Sequence, residues 1–187
     1  SYRQQILDGK ECRGLILDMV NDQIEQGTAQ YLNSDYRWET IVESTAHELQ
    51  LELDIGRIRG MNRDQLEHYL KDESRGQASE QIKEQIDENL PEDSENIHDW
   101  NWLALSKWAN SKWGLNTNDR ELKKIGRAGL FDSLYQRADD AIDRYDFEVL
   151  ETFFADDFGR RSLCGWLFQQ FALETDPDDI DSSDILA

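Results

Sequence analysis

The sequence predicts an all-α fold, an elongated multi-helix bundle. Three observations predict it. Proline is nearly absent: Pro91 and Pro177 are the only 2, and both fall where helical patterning stops. No stretch alternates apolar and polar residues as a half-buried strand does. Apolar residues recur instead at helical spacing, in a chain that is 32% charged and only 38% hydrophobic. Aromatics, at 10%, set the chain apart from disordered sequences, which are poor in them.

The first predicted helix lies in "SYRQQILDGKECRGLILDMVNDQIEQGTAQYL", with Gly9 marking a break. After it, Leu15, Ile16, Met19, Val20 and Ile24 form one apolar face. From Cys12 to Leu32 such a helix runs about 31 Å at 1.5 Å per residue. A second helix covers roughly 35–53, capped by Asp35, with Trp38, Ile41, Val42, Thr45 and Leu49 as its buried stripe. "DIGRIRG" connects it to the next element.

Asn62, followed by Gln65 three residues on, has the form of a capping box. It opens a long charged helix from about 63 to 89, interrupted at Gly76. Its apolar residues (Leu66, Tyr69, Leu70, Ala78, Ile82, Ile86, Leu90) make one thin stripe. "PEDSEN" at 91–96 is the strongest linker signal.

Four of the 6 tryptophans, Trp100, Trp102, Trp108 and Trp113, crowd into "DWNWLALSKWANSKWGL" at 99–115. On a helical wheel Trp102, Leu105, Ala109 and Trp113 share an arc of about 80°. Burying each ring contributes about 3 kcal/mol, so this stripe suits a core that anchors several elements. Trp108 lies off the edge of the arc and Trp100 farther round, which makes these two the candidate partner contacts, because tryptophan is enriched in interface hot spots.

Asn118 or Asp119 then caps a helix running to about Tyr145, with Leu122, Ile125, Leu130, Leu134, Ala138 and Ile142 on its face. Short helices follow at 147–155 and 160–174, and "ETDPDDIDSSDILA" closes the chain as an acidic, mobile tail. No internal repeat is present at a fixed period.

The formal net charge is −20, and acids outnumber bases in both halves of the chain. Phosphate recognition needs a cationic face, so nucleic acid is not an expected partner, nor is anionic lipid. No apolar run spans a bilayer, so direct membrane insertion is not expected, and no signal peptide is visible. The 2 cysteines, Cys12 and Cys164, form no CxxC pair and read as free buried thiols. Ser1 opens the chain in place of Met, within a stretch that already reads as helix, which points to a segment of a longer protein.

Four features bear on chemistry. The acid pairs Asp139 and Asp140, Asp156 and Asp157, and Glu148 with Glu151 lie in charged surroundings that keep both members ionised. They read as solvated faces or caps. His47, His68 and His98 lack metal-ligand spacing, and "HE" at 47–48 has no second histidine four residues on. "DPDDIDSSD" at 176–184 has the charge of a calcium loop without its glycine or terminal glutamate. "GRRSLCG" at 159–165 reads as a helix entry, and no GxxxxGK[ST] or GxGxxG is present. No catalytic, cofactor-binding or metal-binding residue is expected within the chain.

Two stretches carry a family resemblance. "RQQILDGKECRGLILDMVNDQI" at 3–24 resembles the start of the helical scaffold of SecA, the ATP-driven motor of bacterial preprotein export. There an "R…ILxG" turn leads into a long helix with an "I…M" spacing. Arg3, Ile6, Leu7, Gly9, Ile16 and Met19 match it here. "WNWLALSKWANSKWGL" at 100–115 is similar to the opening of that family's helical wing through Trp100, Asn101, Leu105, Trp113 and Leu115. The order, scaffold then wing, also agrees. Residues 36–96 separate the two stretches, where the family has a much shorter connection, and the segment after Tyr145 matches poorly.

The resemblance implies four parts: 1–34 as the start of the helical scaffold, 35–96 as an inserted or enlarged helical element, 97–175 as the helical wing, and 176–187 as the flexible tail. It implies a non-catalytic segment of a cytoplasmic motor that associates peripherally with the inner membrane. ATP and Mg would bind elsewhere in the parent, and no cofactor in this segment. Its partners would be the parent's other domains and, through the parent, the preprotein and the translocation channel. Two other readings stay open: a stand-alone all-α protein–protein interaction module, and an all-α hydrolase using paired carboxylates.

Overall fold

The computed structural model describes residues 12–92 and 100–180. Among these residues there are nine α-helices and no strand, so the chain is all-α. The helices are α1 (Cys12–Tyr31), α2 (Tyr36–Glu48), α3 (Ile55–Ile58), α4 (Arg63–Asn89), α5 (Trp102–Trp113), α6 (Asp119–Ile125), α7 (Arg127–Asp143), α8 (Val149–Phe154) and α9 (Phe158–Phe171). A 3-10 turn follows at Pro177–Asp179. The helices fall into two compact units. The described part of one comprises residues 12–46, 52–59 and 150–180; that of the other comprises residues 47–51, 60–92 and 100–149.

In the first unit, α1 and α9 pack antiparallel and unusually closely. A Cβ on Gly27 would stand 2.5 Å from the Trp166 ring, and one on Gly159 would stand 2.5 Å from the Tyr31 carbonyl oxygen. Only hydrogen at these two positions lets the helices meet. A file of rings then runs through the unit. Tyr31 meets Tyr36 edge-on at 5.0 Å, Tyr36 stacks on Phe158 at 5.4 Å, and Phe158 meets Phe153 edge-on at 5.5 Å. The Arg37 guanidinium donates to the Ala155 carbonyl at 3.0 Å and lies over the Phe154 ring.

The apolar face of α1 is half-buried at Leu15, Val20 and Ile24 and open at Ile16 (58% exposed) and Met19 (45%), because the close approach of α9 falls at the other end of the helix, at Gly27 and Tyr31. Two expectations change in this unit. Asp35 does not cap α2 through its side chain; its carboxylate pairs with Arg59 at 2.5 Å. Cys164 is half-buried and unpaired, not a fully buried thiol. The Arg3–Gly9 turn lies outside the described residues.

The second unit is built on the pairing of α4 with α7. The expected capping box is formed: Asn62 Oδ1 accepts from Gln65 N–H, and Gln65 Oε1 from Asn62 N–H, both at 2.9 Å. The helix then runs without interruption through Gly76, because that position is open to solvent and its backbone stays helical. Leu66, Leu70, Ala78, Ile82, Ile86 and Leu90 are all buried. Their i, i+4 spacing turns the stripe by about 40° per step, so the buried face winds around the helix. Ala78 to Leu90 share one core with Leu130, Leu134, Ala138 and Ile142 of α7.

Two arginines fix the register of this pair reciprocally. Arg75 of α4 donates to Asp139 and Asp143 of α7, each at 2.6 Å. Arg127 of α7 donates to Asp87 at 2.7 Å and to the Leu90 carbonyl at 2.8 Å at the far end of α4. Arg75 to Asp87 and Arg127 to Asp139 span the same length, about 18 Å at 1.5 Å per residue. That match is what an antiparallel pair in one register requires. Each surface ion pair contributes at most about 1 kcal/mol, so the arginines select register while the shared core supplies stability.

The expected single helix from 119 to 145 is two helices. Gly126 breaks it at φ 74 and ψ 158, a backbone conformation available in practice only to glycine. Asn118 is the cap, accepting from Glu121 N–H at 3.0 Å. The turn from α5 to α6 closes on a reciprocal pair: Asn110 Nδ2 donates to the Thr117 carbonyl and Thr117 N–H to Asn110 Oδ1, both at 2.8 Å. The helix expected at 35–53 stops at Glu48, and Gln50 follows it in the left-handed region at φ 56.

Candidate functional site

The tryptophan-rich stretch is core first. Trp102, Leu105 and Ala109 are buried, and Trp113 and Trp108 are half-buried against the same cluster. Trp108 and Trp113 meet edge-on at 5.0 Å. Trp100 precedes the helix, because Asn101 is its cap and accepts from Ala104 N–H at 3.0 Å. The helical-wheel position assigned to Trp100 therefore does not apply. Its indole N–H donates to the Pro91 carbonyl at 3.1 Å, and its ring meets Trp102 edge-on.

The candidate acids are dispersed. Asp139 is engaged by Arg75, and hydrogen bonding to that carboxylate pushes the Arg75 guanidinium above its usual range. Asp157 pairs with Arg161 at 2.6 Å, whereas Asp140, Asp156, Glu148 and Glu151 are exposed. His68 faces Asp72 at 3.3 Å on the same helix, and His47 is exposed near the end of α2. His98 and the last part of the 176–184 loop lie outside the described residues, as does most of "PEDSEN". Asp176 caps the 3-10 turn, accepting from Asp178 N–H at 3.0 Å. Among the described residues no three His, Cys, Asp or Glu side chains are grouped to hold a metal ion. None of their helices is long and apolar enough to cross a membrane.

A cleft of about 290 Å³ lies in the second unit between the 48–50 turn, α4, α5 and the end of α7. Trp113, Ala78 and Ile142 give it apolar walls; Glu48, Gln50, Gln77, Lys112 and Tyr145 give it polar ones. The Tyr145 hydroxyl donates to Glu48 at 2.7 Å. Burial, and then that bond to a carboxylate, push the Tyr145 phenol up to about 12. Lys112 Nζ donates to Gln50 Oε1 at 2.5 Å, and burial pushes the ammonium below its usual range. Gln77 Nε2 donates to the Gln50 carbonyl at 2.9 Å. Nothing in the sequence pattern marks this cleft. Its polar groups come from four separate stretches, and no spacing within one element joins them.

Fold and surface together define a class: an all-α chain whose buried residues serve helix pairing, with a cleft of mixed apolar and polar walls in its second unit. No family model matches the chain, and no solved structure matches it. Over 178 residues, 95% of its length, it is 31% identical to "Protein translocase subunit SecA 1" of Rhodopirellula baltica. The chain is thus a SecA-family sequence, and it spans 14% of that relative's length.

Proposed function

We propose that the chain is a non-catalytic segment of a SecA-type preprotein translocase motor, serving as helical scaffold and wing. The single observation that carries this reading is the identity to SecA 1 over 95% of the chain. The packing supports a mechanical part. In the second unit, α4 and α7 share one continuous core and are locked in register from both ends by Arg75 and Arg127. Such a pair moves as a body, which a transmission element needs. On this reading 1–34 begins the scaffold, 35–96 is the enlarged element and 97–175 is the wing.

The parent would use ATP and Mg²⁺ to drive preproteins through the membrane channel, working from the cytoplasmic face. The described residues do not fit either group: the sequence has no phosphate loop, and no acidic cluster with ligand geometry is formed. The reading therefore places both on other parts of the parent. Trp108 and Trp100, each half-buried at the edge of the core, are the surfaces it assigns to neighbouring domains or to the preprotein.

Hydrolysis by the pure chain tests the non-catalytic part. With Mg²⁺ and saturating ATP, and with or without an unfolded preprotein, phosphate release stays at the buffer blank. Turnover that rises in proportion to the chain's concentration and survives repurification contradicts it.

A further inference from the structure

In the cleft of the second unit the Lys112 ammonium is partnered by a neutral amide, not by the Glu48 carboxylate that lines the same cleft. Two other lysines of the unit pair with acids, Lys71 with Glu67 at 2.8 Å and Lys123 with Asp119 at 3.1 Å, while Lys83 lies over the Phe131 ring. Acids outnumber bases by 40 to 20 in the whole chain, so carboxylates are plentiful. Yet among the described residues no carboxylate lies within ion-pair distance of Lys112, and its partner is the neutral Gln50 side chain. That amide satisfies one of the three ammonium protons. Glu48 lines the same cleft but is occupied by the Tyr145 hydroxyl.

Gln50 is itself held under constraint. It is a non-glycine residue at φ 56, in the left-handed region. Its carbonyl is fixed by Gln77 and its side-chain oxygen by Lys112. Residues kept in sparsely populated backbone regions by converging contacts cluster at ligand clamps. Here the Gln50 amide oxygen occupies the position where a carboxylate oxygen would make the stronger, charge-assisted bond. Beside it lie the Trp113 ring and the Ile142 side chain, on a cleft of about 290 Å³. That volume is at the small end for ligand pockets and suits one short side chain or small acid.

We propose that this cleft binds a carboxylate carried on an apolar body, the carboxylate replacing the Gln50 amide on Lys112 Nζ and the body lying against Trp113 and Ile142. Glu48 sets the charge limit: it repels a second anionic group, so the ligand is a monoanion. The carboxylate comes either from a free small acid or from an acidic side chain or chain end of a polypeptide. The inference stands apart from the translocase reading, because it uses only the cleft.

The test uses the whole chain and two pairs of probes. One pair is 4-phenylbutyrate and its primary amide. The other is a short blocked peptide ending in Leu-Phe as the free acid or as the amide. Binding is read from the side-chain amide NMR signals of Gln50 and Gln77. The acids shift these signals saturably, and each amide binds weaker by roughly tenfold or more, the scale of one charged hydrogen bond. Lys112→Gln weakens the acids by a similar factor. So does Gln50→Glu, which supplies an internal carboxylate while leaving Lys112 in place; both variants keep the wild-type circular dichroism. Tighter binding of the acid-ended peptide than of phenylbutyrate assigns the cleft to polypeptide, and the reverse order assigns it to a free acid. Equal binding of acid and amide, unchanged affinity in folded Lys112→Gln, or no saturable shift with any probe overturns the proposal.

Discussion

Ala172 ends α9 in the left-handed conformation, at φ 54, where a Cβ is unfavourable. Its N–H closes the helix on the Leu167 and Phe168 carbonyls, and the residue is exposed, so its methyl group has little to lose. Ala172→Gly keeps both bonds and removes the clash. After the greater freedom of glycine in the unfolded chain is deducted, it stabilises by about 0.5–1 kcal/mol. Urea denaturation checks this, and a midpoint at or below wild type contradicts it. Tyr145 makes a second prediction. Its phenol is held near 12 in the folded chain and titrates near 10 when unfolded. The folded state holds that proton more tightly, so the stabilisation is complete below pH 10 and is lost as pH rises through 12. Tyrosinate absorbance should show a late-titrating component that Tyr145→Phe diminishes, the remainder belonging to Tyr31, which burial also raises. A wild-type curve unchanged by that substitution speaks against the Glu48 contact.

At the scale of elements, glycine does opposite things on two helices. Gly76 on α4 has nothing within 4 Å of its virtual Cβ, so Gly76→Ala gains about 0.5–1 kcal/mol from helix propensity. Gly159 on α9 lies against the Tyr31 carbonyl, and Gly159→Ala forces backbone apart at a net cost of about 1–3 kcal/mol. Paired thermal melts decide the matter: the two variants shift Tm in opposite directions, and a Gly159→Ala melt at or above wild type refutes the packing described for α1 and α9. These two glycines also show what a sequence conveys. Both sit in helical patterning, and only the long-range neighbour separates them. The capping box at Asn62, the cap at Asn118 and the stripes of α4 and α7 were legible because each is local or periodic. The break at Gly126 was not. The apolar pattern carries on from Leu122 through Leu130, and only the backbone angle reveals the turn. The stripe on α1 was legible as a stripe but not as partly exposed, since periodicity reports an apolar face and not what covers it.

For the molecule as a whole, the all-α class was readable from composition and spacing, and the family from two short stretches. The cleft was not, because Glu48, Gln50, Lys112 and Tyr145 are brought together only by tertiary packing. In the proposed reading as a mechanical segment, the parts of the molecule differ in what they contribute. Apolar packing between α4 and α7 gives rigidity, Arg75 and Arg127 fix the register, and the tryptophans of α5 anchor the core. The most direct measurement replaces the corresponding segment of a SecA-type motor with this chain and assays export of a preprotein into membrane vesicles. The account predicts that the chimera folds, hydrolyses ATP and exports preprotein, and that charge reversal at both Arg75 and Arg127 uncouples hydrolysis from export. A folded chimera that hydrolyses ATP as well as its parent but moves no preprotein would contradict it.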